Sequence, residues 1–185
     1  MYEIIEWNED LDLSEFYSLA ASKGFENNSS QKMLVDCFRK EQEWNVWILY
    51  KNNKAIGSVA AHSFDSIMGE NTYRIAARTC ILTDRSDKNT LRTRNQIVTH
   101  QHYTSQFLIP ACLNWVPESS LIYITTNRLE AGTQRLVSKI FAPAMEKTGQ
   151  ISYVRDVEYR GCNQSVWQFF PEKFWKEMSK YPRWN

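Results

Sequence analysis

WNVWILYKNNKAIGSVAAHSFDSIMGENTYRIAARTCIL, residues 44–82, reads as three consecutive strands separated by short polar breaks. Trp44 to Tyr50 is apolar on both faces, which suits a strand inside a sheet covered on both sides. Lys51-Asn52-Asn53-Lys54 makes a polar turn and Ala55 to Phe64 the next strand. Ser66 to Asn71, with Gly69, makes another turn before a third strand, Tyr73 to Leu82. Breaks this short join antiparallel neighbours, so the three form a meander.

On the N-terminal side, Tyr2 to Trp7 reads as a short strand. Leu13, Phe16, Tyr17 and Ala20 then recur at helical spacing, with Gly24 as the stop. Ser29 or Ser30 can cap a second helix with the stripe Met33, Leu34, Cys37 and Phe38. On the C-terminal side, Thr83 to Gln96 is a polar, basic loop. Val98 to Trp115 is helical, striped by Phe107, Leu108, Ala111, Cys112 and Trp115, and Pro110 predicts a kink or an early end. Leu121 to Thr126 is a strand, and Gly132 to Thr148 an amphipathic helix carrying Pro143. Ile151 to Tyr159 and Ser165 to Phe170 form a hairpin across Gly161-Cys162-Asn163, and Pro171 to Met178 ends the chain's regular structure. The order β-α-α-β-β-β-α-β-α-β-β is that of a mixed α/β (α+β) protein.

Length and composition agree. A chain of 185 residues fits one domain, 1–185, with residues 171–185 as an aromatic C-terminal extension. Apolar residues make up 43% and charged residues 23%, which describes an ordinary globular core. Net charge is +1, so attraction to nucleic acid or an anionic membrane would have to be local. Cys37, Cys80, Cys112 and Cys162 are widely spaced, three of them in apolar runs. They suit small buried side chains in a reducing compartment, with no zinc or disulfide spacing. The acidic start MYEIIEWNEDLD lacks a signal peptide's basic and apolar regions, and no window is apolar enough to span a membrane. A cytoplasmic location is expected, and no metal site.

Arg74 and Arg78 lie four apart on a core-like strand and share one face. Buried arginines need partners: either Asp156 or Glu158 pairs with them, or they line a cleft for an anion. Extending the helix stripe back from Phe107 reaches Thr104 and His100, leaving His102 toward solvent. His100 would therefore face the sheet as a base, or as a hydrogen-bonded packing residue. Tyr123, Thr125 and Asn127 share a strand face, as do Tyr153 and Tyr159 with Arg155. Trp167, Phe169, Phe170, Phe174, Trp175, Tyr181 and Trp184 crowd the C-terminus; they would cover the last hairpin, any exposed remainder serving as a contact patch.

The element order resembles the GNAT superfamily of acyl-CoA-dependent acyltransferases over nearly the whole chain, Tyr2 to Pro171. The resemblance implies a three-layer sandwich, a central, mostly antiparallel twisted sheet flanked by helices. It also implies that acetyl-CoA, or a related acyl-CoA, is the cosubstrate. The backbone of Cys80, Ile81, Leu82 and Thr83 would hold the pantetheine arm. Arg92-Thr93-Arg94-Asn95-Gln96-Ile97 stands at the family's Gly-rich pyrophosphate turn, with Asn95 and Ile97 in place of small residues. Arg92 and Arg94 can supply bidentate phosphate contacts there. Asn127 would contact the cofactor or simply make a turn. The family's Tyr-Glu-Lys-x-Gly-Phe helix end is matched by Met145-Glu146-Lys147-Thr148-Gly149-Gln150. Met145 cannot donate a proton, so His100, Tyr153 and Tyr159 are the candidate catalytic groups and Arg74, Arg78 and Tyr123 candidate substrate contacts. The reading is an N-acyltransferase joining a small-molecule thioester to an amine acceptor, a nucleic acid remaining a possible partner. The alternative is a non-catalytic GNAT-like module that binds protein or nucleic acid.

Overall fold

A computed structural model describes residues 1–14, 16, 18, 38–78, 99–126 and 141–185. Its centre is one seven-stranded sheet in the order β1-β2-β3-β4-β5-β7-β6. The strands are β1 (Tyr2–Glu6), β2 (Trp44–Lys51), β3 (Lys54–Ser63), β4 (Thr72–Arg78), β5 (Leu121–Thr126), β6 (Ile151–Tyr159) and β7 (Cys162–Phe169). Every neighbouring pair is antiparallel except β4 and β5, which run parallel. The expected meander is present, its second connection taken by a short helix, α1 (Asp65–Met68). The remaining described helices are α2 (Ile109–Trp115), α3 (Ala142–Lys147) and α4 (Pro171–Met178). None of the described helices is long and apolar enough to cross a membrane.

The double-sided burial read from Trp44 to Tyr50 has a direct cause. Trp47 and Leu49 face one layer, with Val59, Tyr73, Ile75 and Ile122, against Leu108, Cys112, Met145, Phe174 and Met178 from the helices. Val46 and Ile48 face the other layer, with Ala60 and Ala76 under Leu13, Phe16 and Phe38. Further along that second face, Tyr123 and Val166 pack with Phe64 and Tyr159.

Pro110 neither ends the helix nor is marked by a kink: the helix runs on to Trp115 and widens just before the proline. A turn of π-helix, Thr104–Leu108, precedes α2, and Phe141, two residues before Pro143, is π-helical too. Proline offers no N–H and its ring crowds the carbonyl four residues back, so a wider turn relieves the clash. The helix start also explains a correction. His102 is buried, not solvent-facing: its Nδ1 accepts the Thr104 backbone N–H at 3.2 Å, capping the helix.

Candidate functional site

The β4–β5 ladder makes four residue pairs, Thr72–Leu121 to Ile75–Ile124, and then stops. Neither strand ends there. β4 stays paired with β3 as far as Arg78, and β5 with β7 as far as Thr126. The sheet thus opens along its one parallel seam, between Ala76–Arg78 on one side and Thr125–Thr126 on the other. Backbone groups at such a break need partners from elsewhere.

Below the opening, on the face of Phe38 and Phe64, lies a polar cluster drawn from four strands. Arg74 on β4 donates from Nε to Thr125 Oγ1 at 2.9 Å and from Nη1 to His62 Nε2 at 3.3 Å. Its guanidinium lies 5.1 Å from the centre of the Tyr159 ring. His62 is fully buried and donates from Nδ1 to Ser63 O at 2.7 Å. Burial, then the Arg74 charge, holds its imidazole well below the usual range, so the ring is neutral and Nε2 is free to accept from Arg74. Arg160, at the β6–β7 turn, sits 4.9 Å from the Phe38 ring centre and 5.0 Å from that of Tyr159. Its Nη2 is 3.8 Å from Glu41 Oε1, an ion pair tying the hairpin tip to the segment before β2. Burial raises the Glu41 carboxyl, with Arg160 and Arg74 pulling the other way. Burial likewise raises the Tyr159 phenol, and its buried hydroxyl has no hydrogen-bond partner of ordinary geometry among the described residues.

Arg74, Tyr123 and Tyr159 are therefore brought together: Arg74 and Tyr123 are register partners, and Tyr123 and Tyr159 both pack on Phe64. Arg74 meets Thr125, His62 and a ring face; Asp156 instead accepts from Ser165 Oγ at 2.7 Å. Tyr153 does not share the face of Tyr159. A bulge between Tyr153 and Arg155 adds one residue and inverts the alternation, so Tyr153 packs edge-on against Trp167, half exposed, on the opposite layer. His100 is buried against Phe174 of α4; neutral, it donates from Nδ1 to Ser105 Oγ at 3.1 Å and accepts at Nε2 from Gln150 Nε2 at 3.0 Å. Burial lowers its imidazole. Cys80, Ile81, Leu82, Thr83, Arg92, Thr93, Arg94, Asn95, Gln96 and Asn127 lie outside the described residues, as does the Arg78 side chain.

Glu41 and Arg160 carried no signal in the sequence, since each sits in a turn far from its partner along the chain. His62 could have been found: counting the hairpin register places it directly opposite Arg74. Among the described residues no group of three or more His, Cys, Asp or Glu side chains could hold a metal ion.

No protein-family model and no curated protein sequence matches this chain. Solved structures do. A protein from Bacillus halodurans superposes with a TM-score of 0.60 at 11% identity, covering 97% of this chain and 89% of that one. An acetyltransferase from Streptococcus agalactiae gives 0.53 at 15% identity over 91% and 97% of the two chains. The aminoglycoside acetyltransferase AAC(6')-Ib, crystallised with coenzyme A and kanamycin, gives 0.55 at 12% identity over 95% and 98%. This chain thus shares the fold of these acetyltransferases, and in it that fold carries a seven-stranded, otherwise antiparallel sheet opened along its parallel seam.

Proposed function

We propose that the chain catalyses acyl-CoA-dependent N-acylation of a small-molecule amine, acetyl being the simplest group transferred. The observation that carries this reading is the open seam after Ile75 and Ile124. A pantetheine arm is an extended chain bearing amides, and it can bond to strand backbone as an added strand does. Crystallisation of a like-folded acetyltransferase with coenzyme A supports the same reading. From the sequence, Cys80 to Thr83 would continue the strand contact, Arg92 to Gln96 would hold the pyrophosphate, and Asn127 would reach the cofactor.

In the proposed reaction the amine nitrogen attacks the thioester carbonyl, forming C–N as C–S breaks. The amine loses a proton and the departing thiolate of coenzyme A gains one. Tyr159, kept protonated by burial, is the proposed proton donor to the thiolate. Glu41 is the carboxylate among the clustered side chains able to take the proton from the amine. Arg74, Tyr123 and Thr125 would wall the acceptor side, while Tyr153 and His100 are assigned packing roles. Positioning across the seam would supply most of the rate.

The test is a melting curve with and without acetyl-CoA, repeated on Arg92→Ala with Arg94→Ala. At about a hundred times the dissociation constant, ligand stabilises by about 2.7 kcal/mol, a shift of roughly 5–10 °C for a chain this size. The double variant should lose the shift. Tyr159→Phe should lower kcat for coenzyme A release while leaving the shift in place. No shift at millimolar acetyl-CoA would sink the proposal and leave the non-catalytic binding module.

A further inference from the structure

A second feature lies away from the seam. The β2–β3 hairpin end, the buried Ile56 and Tyr103 at the helix start enclose a cavity of about 300 Å³ lined by Lys51, Asn52, Lys54, Ile56 and Tyr103. That volume is at the small end of the range for small-molecule sites. Lys51 and Lys54 are register partners, directly opposite across the hairpin. Like charges so placed repel and weaken the pairing. Lys51 is held in position: its ammonium donates to Tyr103 Oη at 3.3 Å and lies 5.5 Å and 5.8 Å from the ring centres of Tyr2 and Tyr103. Among the described residues no carboxylate lies within ion-pair distance of either ammonium. Two opposed cations, one fixed by aromatic faces, thus border a space whose floor is apolar.

We infer that this cavity binds a small organic anion, with a phosphate or carboxylate head between Lys51 and Lys54 and a compact apolar body over Ile56 and Tyr103. An anion would turn the repulsion between the lysines into two attractions. The Asn52 amide adds a neutral donor, and Ile56, only 4% exposed, excludes water beneath the ligand. Broken local rules concentrate at functional sites, and an opposed lysine pair beside a cavity is such a break. The site draws on β2, β3 and the helix start, so it is separate from the seam between β4 and β5.

The experiment melts the full chain in phenyl phosphate, in benzoate and in sodium chloride at matched ionic strength. One or both aromatic anions should raise the midpoint saturably, by about 3–6 °C at ten times the dissociation constant. Phenyl phosphate against benzoate decides the head group. Backbone amide resonances of residues 51–56 and 103 should shift with the same dissociation constant. Lys51→Gln with Lys54→Gln should remove the response, and Lys54→Thr alone should weaken it while raising the midpoint of the unliganded chain. Equal rises in chloride would reduce the effect to screening and overturn the site. A response surviving in the double variant, or none with either anion, would overturn it as well.

Discussion

His102 shows how one buried side chain writes a pH dependence into the whole chain. Burial pushes its imidazole down to about 4, against 6.5 for a free ring. Between those values the unfolded chain binds the proton and the folded chain does not, so stability falls as pH drops from about 6.5 toward 4. His62 and His100, also lowered, act in the same direction. Glu41 opposes them, because its raised carboxyl takes a proton in the folded chain first. His102→Asn keeps an acceptor for the Thr104 N–H and removes the titration. Urea unfolding at pH 7.5 and pH 5 should show the wild type losing about 2 kcal/mol more than the variant. Equal losses would mean that His102 is charged in the fold or already exposed. Arg74 makes the complementary point: half-buried, it meets a hydroxyl, a neutral imidazole and a ring face.

Elements of this fold are set by their ends as much as by their apolar pattern. Asn52 and Asn53 have φ of 50° and 62°, both left-handed, which makes a two-residue hairpin turn whose twist matches the strands. Asparagine tolerates that region and glycine prefers it. Asn53→Gly should therefore raise stability by about 0.5 kcal/mol, and Asn53→Val should lower it by about 1–2 kcal/mol, read as shifts in the urea midpoint. A fall with glycine would show that the asparagine side chain itself holds the turn. Arg160 and Gly161 repeat the device, with φ of 55° and 74°, at the β6–β7 connection. The turn therefore sits one residue earlier than Gly161-Cys162-Asn163, and β7 begins at Cys162. That placement carries Arg160 to Glu41 and Phe38.

At the scale of the molecule, the C-terminus packs along one face of the sheet, on the main core. Phe174 and Met178 of α4 enter the main core. Beyond them Trp184 stacks on Tyr2 at 5.9 Å, meets Tyr103 and Phe107, and donates its backbone N–H to Gln106 Oε1 at 3.1 Å. The aromatic tail thus covers β1 and the helix start, not only the last hairpin. Trp184→Ala should cost about 2 kcal/mol, less than a fully buried tryptophan because its ring keeps some exposure. A chemical melt of the variant checks it; an unchanged midpoint would make the tail a loose appendage.

Local patterns in the sequence were enough for the strands and the meander, because alternation and turn residues act over a few neighbours, whereas the π turn before Pro110 was not foreseen. The bulge after Tyr153 was not legible: it depends on how β6 meets β7, and no local residue type marks it. Nor was the candidate site, for a physical reason. Its residues at 41, 62, 74, 125, 159 and 160 become neighbours only through strand register and one parallel seam. Residue chemistry named Arg74, Tyr123 and Tyr159 as candidates, and only the tertiary structure decided what each one meets, because burial and charge act through space and not along the chain.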